Sequence, residues 1–105
     1  MPDLKPAEVI PVAAGVLRDA AGRVLIARRH DRGHEGGFWE FPGGKIQAGE
    51  APLQGLCREL AEEIGVKVTA ALALMTYRHS YPERVVALHM FEVGEYSGEP
   101  RGLEG

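Results

Sequence analysis

The chain is short of several things, and each shortage narrows what it can be. A single cysteine, Cys57, rules out an internal disulfide framework and fits a reducing compartment, the cytoplasm. No apolar run is long enough for a membrane span, and the opening MPDLKPAEVI lacks the apolar core of a signal peptide. Internal repeats and low-complexity tracts are absent. Neither charge sign dominates, and a net charge of −3 argues against nucleic acid as a bulk electrostatic partner. A small anionic ligand stays open, because a bound metal ion inverts the local field. With 105 residues the chain has room for one domain, spanning 1–105, and not for two.

What is present alternates in an ordered way. Val9 to Leu17 reads as a strand, with Pro11 pointing to an edge or a strand beginning. Asp19-Ala20-Ala21-Gly22 reads as a turn, and Val24 to Arg28 as a returning strand, so the two should form a hairpin. A polar, glycine-rich loop runs from His30 to Gly37, then a short aromatic stretch, FWEF, is ended by Pro42. Val66 to Tyr77 is strand-like with an interruption near Ala70-Ala71, Tyr81-Pro82-Glu83 is a turn, and Arg84 to Val93 is a further strand. Antiparallel hairpins around one long helix imply an α+β domain, a mixed sheet with helical cover.

That helix lies in the most informative segment, Gly44 to Val66, GKIQAGEAPLQGLCRELAEEIGV. Pro52 suits a first helical turn and Gly65 suits the stop. Leu53, Leu56, Cys57, Leu60 and Ile64 recur at spacings of three and four and form one apolar stripe, so Cys57 reads as a buried thiol rather than a nucleophile. At about 100° per residue, Glu59 and Glu63 share a flank of that stripe and Glu62 lies about opposite it, with Arg58 just beyond. Carboxylates three and four apart repel. A hard divalent cation is a natural counterweight. Three glutamates on a helix usually form a plain solvated face. The Arg58-Glu59 pair, the preceding Pro42-Gly43-Gly44-Lys45 turn and the spacing favour a metal site instead.

Written as a pattern, the segment is G-x5-E-x7-R-E-U-x-E-E-x-G-U, with U a bulky apolar residue, filled by Gly44, Glu50, Arg58, Glu59, Leu60, Glu62, Glu63, Gly65 and Val66. In this it resembles the Nudix hydrolases. The likeness extends over residues 12 to 105 to the MutT-type members, the 8-oxo-dGTP diphosphatases, through ARRH, FWEFPGGK, YPER and the final GEPRGLEG. The resemblance implies a Nudix fold, an α/β/α sandwich with a mixed sheet. It also implies Mg²⁺, with Mn²⁺ able to substitute, attack by water on phosphorus, and release of nucleoside monophosphate plus pyrophosphate.

The resemblance also assigns roles residue by residue. Glu59, Glu62 and Glu63 would hold metal with the backbone carbonyl of Gly43. Glu104 matches a further acidic position that joins the metal site and can act as base. Arg58 would orient the carboxylates, with Glu50 as a partner, and Glu59, Glu62, Arg58 and Glu104 form the catalytic set. Lys45 would steady the loop or touch phosphate. Arg29, His34 and Arg84 match positions lining the nucleotide pocket, and Tyr81 and Leu88 match apolar positions beside sugar and base. The backbone of Phe41 would bond the base. His30, His79 and His89 receive no role. The implied partner is a nucleoside triphosphate, with no bulk nucleic acid and no membrane, and the protein itself would be a monomer or weak dimer.

One departure stands out. MutT-type domains continue through another strand and a C-terminal helix that supplies an asparagine reading the oxidised guanine. This chain ends at Gly105 and contains no asparagine, so the expectation is a domain incomplete at its C-terminus. The uncovered sheet face should then expose some of Val12, Val16, Leu25, Val86 and Leu88. Alternative readings are a Nudix hydrolase of CTP, another nucleotide or an ADP-ribose-type compound, and, from a different class, a Nudix module that binds nucleotide without turnover. The intact glutamate set argues against the last.

Overall fold

The computed structural model describes residues 8–28, 39–82 and 84–101. In chain order the elements are β1 (Glu8–Leu17), β2 (Ala27–Arg28), β3 (Trp39–Glu40), β4 (Gly43–Lys45), α1 (Pro52–Ile64), β5 (Lys67–Ser80) and β6 (Arg84–Ser97). The main sheet has the order β4-β1-β6-β5. β1 runs parallel to β6 and antiparallel to β4, and β5 runs antiparallel to β6. The sheet is therefore mixed, and β1 lies inside it.

Prolines set the limits of the β1–β4 pairing. The Ile46 N–H donates to the Pro11 carbonyl at one end, and the Gly15 N–H donates to the Pro42 carbonyl at the other, both at 2.9 Å. Neither proline can donate back, so the ladder stops at both ends. Pro11 thus terminates one side of an interior strand rather than marking an edge.

The hairpin anticipated after β1 is cut short. Its turn forms, with Asp19 accepting from the Ala21 and Arg23 N–H groups at 2.9 Å and Gly22 at φ +82°. A single bridge, Arg18 to Val24, follows. The returning chain then leaves β1, because its short strand β2 pairs with β3 in a separate two-stranded sheet. By contrast β5 and β6 run further than their apolar patterns suggested. β5 carries irregularities at Val68/Ala70, Ala70/Ala71 and Ala73/Met75, which absorb the anticipated interruption without ending the strand.

α1 closes one face of the sheet. Leu56, Leu60 and Ile64 bury against Ala13, Leu17, Phe91 and Val93, with Val66 beside them. A Cβ on Gly15 would press on Val93 and Leu56, so the bare position lets β1 pass under the helix without displacing them. The helix stops where expected: Gly65 takes φ +72° and its N–H reaches the Ala61 carbonyl. The apolar stripe is narrower than its spacing implied. Leu53 is exposed and Cys57 is only half-buried, whereas Gly55 is buried beneath Ile46. Among the described residues α1 is the sole helix.

The opposite sheet face also differs from expectation. Val16 is buried, and Val12, Leu25, Val86 and Leu88 are half-buried. The exposed apolar side chains lie instead along β5: Leu72, Leu74, Met75 and Tyr77, the first 69% exposed. β5 has one neighbour in its sheet, so its side chains lack lateral cover on the outer side. No helix among the described residues is long and apolar enough to cross a membrane.

Candidate functional site

β4 and α1 meet at the one place where both are shaped for close approach. A Cβ on Gly43 would run into the backbone of Ala13 and Ala14, and Gly43 sits at φ +157°. The glycine therefore answers first to the packing of β4 on β1. Next to it, a Cβ on Gly44 would fall onto the carboxylate of Glu59. That carboxylate is seated directly on the turn's backbone. The Pro-Gly-Gly run thus brings peptide groups and a helix carboxylate together where any side chain would part them.

Arg58 organises the remaining acids. Its Nε donates to Glu50 Oε2 at 2.7 Å and one terminal nitrogen donates to Glu50 Oε1 at 3.0 Å, a bidentate pair. That same nitrogen donates to the Lys45 carbonyl at 2.9 Å. The other terminal nitrogen donates to Glu59 and to Glu62, each at 3.0 Å. Glu50 also accepts the Gln47 N–H at 2.8 Å, so it ties the loop before the helix to the helix itself. The Arg58 guanidinium, then the Gln47 N–H, hold the Glu50 carboxyl below its ordinary value of 4.5. Glu50 and Glu59 in turn raise Arg58 further above its already basic value.

Exposure sorts the three helix glutamates. Glu59 is largely covered at 17%, Glu63 is half-buried, and Glu62 is 49% exposed. All three lie in the C-terminal half of α1, where the helix dipole is negative, and the last turn holds no basic residue. Mutual repulsion and the dipole both oppose this placement. Arg58 offsets part of it, and a hard cation remains a natural counterweight for the rest. With Arg58 inserted between Glu59 and Glu62, no three His, Cys, Asp or Glu side chains among the described residues form a ready ligand group. The donor chemistry still fits a hard cation: the groups are oxygens only, one is packed on a bare peptide turn, and the helix end is negative. Glu104, Arg29 and His34 lie outside the described residues.

Two substrate-side positions, Tyr81 and Arg84, come together elsewhere, and Leu88 lies further along β6. Tyr81 and Arg84 close the β5–β6 turn, with the Tyr81 N–H donating to the Arg84 carbonyl at 2.7 Å. The Arg84 guanidinium lies 5.5 Å from the Tyr81 ring centre. Leu88 pairs with Tyr77 on β5 and with Val12 on β1, on the sheet face opposite α1. Phe41 stands apart, 39% exposed, just before the turn. The sequence reading passed over His79, which sits between Tyr77 and Tyr81. The two-residue spacing of three rings was the signal that could have found it.

This fold and acid-bearing loop-helix define a hydrolase of the Nudix class, and the comparisons agree. The family model described as NUDIX domain matches residues 13–104, and the chain belongs to that family. The 8-oxo-dGTP diphosphatase of Proteus vulgaris is 49% identical over 88 residues, 84% of this chain and 79% of that protein. The CTP pyrophosphohydrolase of Escherichia coli K12 is 36% identical over 83% of this chain and 63% of that protein. A solved structure from work on MutT of Aliivibrio salmonicida and Vibrio cholerae aligns at a TM-score of 0.78 and 37% identity, covering 93% of this chain and 75% of that one.

Proposed function

We propose that the chain hydrolyses nucleoside triphosphates, 8-oxo-dGTP foremost, to the monophosphate and pyrophosphate, and so removes oxidised nucleotides from the precursor pool of DNA synthesis. The observation that carries the reading is the Arg58-centred acid cluster, with Glu59 seated on the Gly44 backbone. Membership of the family and the likeness to 8-oxo-dGTP diphosphatases support the substrate.

Glu59, Glu62 and Glu63, the Gly43 carbonyl and Glu104 would hold a divalent cation, Mg²⁺ or Mn²⁺. When bound, it neutralises phosphate oxygens and acidifies water, the two obstacles to hydroxide attack on a polyanion. The chain's own groups do the rest. Arg58 keeps Glu59 and Glu62 fixed while Glu50 and the Lys45 carbonyl keep Arg58 fixed. Glu62 gives one oxygen to Arg58 and its side chain is 49% exposed, so it would be able to take a proton from attacking water. The water oxygen bonds to phosphorus, a phosphoanhydride P–O bond breaks, and the leaving phosphate carries the electron pair. Arg84, Tyr81, Leu88, Phe41, Arg29 and His34 would hold the nucleoside.

A second reading is CTP as substrate, favoured by the 36% identical pyrophosphohydrolase. The test is a nucleotide panel containing 8-oxo-dGTP, dGTP and CTP, with products separated and a chelator arm. Monophosphate and pyrophosphate from 8-oxo-dGTP at the highest kcat/KM, abolished by excess EDTA, is the expected result. Orthophosphate as the primary product, or full activity in EDTA, would sink the assignment.

A further inference from the structure

β5 ends in a run of rings that neither the acid site nor the packing of the sheet requires. Tyr77 and His79 are two residues apart on one strand, so their side chains leave the same face. Their ring centres are 6.5 Å apart with planes 23° from parallel. His79 then meets Tyr81 at 4.7 Å, edge-on at 71°. Arg84 lies over Tyr81 and completes the row with a cation.

Three observations separate this row from ordinary strand packing. The rings are not core: Tyr77 is 52% exposed and His79 is exposed, although neighbouring aliphatic groups could have hidden them. Their sheet face is that of Leu88 and Val86, which pair with Tyr77 and His79 and give the row a half-buried aliphatic floor. Among the described residues the imidazole of His79 meets the rings of Tyr77 and Tyr81 and makes no side-chain hydrogen bond, so its nitrogens can serve a ligand. Exposed π faces in register, an unused donor and acceptor, and an adjacent guanidinium suit a planar heterocycle with a polar edge.

We propose that His79 is a base-contacting residue that binds the purine ring of the substrate, with Tyr77 and Tyr81 holding the imidazole in place. The inference rests on the nucleotide reading above and extends it to residues the family resemblance did not assign. Neutral imidazole offers one donor and one acceptor. It can therefore meet the N7 acceptor of an ordinary purine or the N7–H donor of an 8-oxo purine by choice of tautomer. His79 is a side chain on this face able to answer both.

The test is binding, by calorimetry, of 8-oxo-dGMP, dGMP and base-free tripolyphosphate to the wild type, His79→Ala, His79→Phe and Arg78→Ala, each with its Tm measured. His79→Ala is expected to lose roughly tenfold in affinity for both nucleotides, the size of one base–aromatic stack, and nothing for tripolyphosphate. His79→Phe keeps a π face and is expected to stay within about threefold of wild type for dGMP. Arg78→Ala, on the other face of β5, should leave all three ligands unchanged. Equal nucleotide affinity in wild type and His79→Ala overturns the inference alone. Equal losses for nucleotide and tripolyphosphate overturn it as well, since the residue would then act on the phosphates or the fold. A wild type that binds no nucleotide overturns the functional reading and the inference with it.

Discussion

The segment from Gly43 to Val66 and the β5–β6 hairpin are joined end to end, yet they are built by different rules. In the first, nearly every polar group has a near neighbour in sequence to answer it. Glu50, Arg58, Glu59 and Glu62 lie within 13 residues and hold one another through hydrogen bonds of 2.7 to 3.0 Å. In the hairpin the geometry comes from pairing across strands, with side-chain bonds such as Thr76 with His89 at 3.2 Å secondary to it. The first region is specified locally and tolerates little. The second is specified by register, and its surface can vary while the strands stay paired. Under the proposed function, chemistry falls to the intolerant region and base contact to the permissive one, which suits a family that reuses one reaction on many nucleotides.

Matched glycine substitutions break this comparison most sharply. Gly44→Ala would drive a Cβ into the Glu59 carboxylate, the movable end of a side chain, so the fold should survive while the carboxylate is displaced. Gly94→Ala on β6 meets only the Ala70 carbonyl at 3.8 Å, an ordinary contact. We expect kcat to fall by at least about 10²-fold for Gly44→Ala and for Glu59→Gln, and the double variant to be little worse than either, because both remove the same function. Gly94→Ala should keep wild-type kcat. The measurement is steady-state kinetics with Tm as the folding check. Full additivity of the two losses would mean that Gly44 serves something other than the seat of Glu59.

The same contrast explains what could be read from the sequence. The helix limits, the Gly65 stop and the pairing of Arg58 with Glu50 were legible because each depends on residues close together in the chain. The failures are non-local. Nothing near Val24 says that the strand after the turn will leave β1 for β3, since that choice belongs to a partner 11 to 13 residues away. Leu53 fits the helix stripe by angle but lies beyond the sheet's cover, and it is exposed. The ring row at His79 was missed because an isolated histidine looks structural until its neighbours' rings are placed.

Acid titration sharpens the comparison at an intermediate scale. Glu50 is held below 4.5 in the folded chain, so its ionised form favours folding. A depressed carboxylate contributes stability that is fully present above its unfolded value and is lost as pH falls through the lower folded value. The Tm gap between wild type and Glu50→Gln should therefore be constant above 4.5, shrink as pH drops below it, and vanish once both states are protonated. Glu92→Gln in the hairpin removes a single contact to Arg18 at 3.2 Å, half-exposed on the arginine side, and should shift Tm less at every pH. A Glu50 gap unchanged at about pH 2 would refute the linkage.

The smallest expected effect is a gain, at a capping rule the signature segment leaves unmet. Ala51 is the N-cap of α1 and already has the extended backbone a cap needs, φ −73° and ψ 155°. Gln54 reaches back to accept the Ala51 N–H at 2.7 Å, which is half of a capping box. Alanine has no oxygen to return the bond, so the Gln54 N–H lacks its side-chain acceptor. Ala51→Ser supplies that oxygen without changing the backbone, and it should stabilise the protein by about 1 kcal/mol. The matched hairpin change, Ala70→Ser on exposed β5, completes no motif and should stay within about 0.5 kcal/mol of wild type. Denaturant unfolding of the three proteins, read at constant m-value, makes the comparison. Because Ala51 lies at the far end of α1 from Glu62, kcat should not move. Equal gains from both serines would mean that the effect is not capping, and that the signature segment is less locally determined than its hydrogen bonds imply.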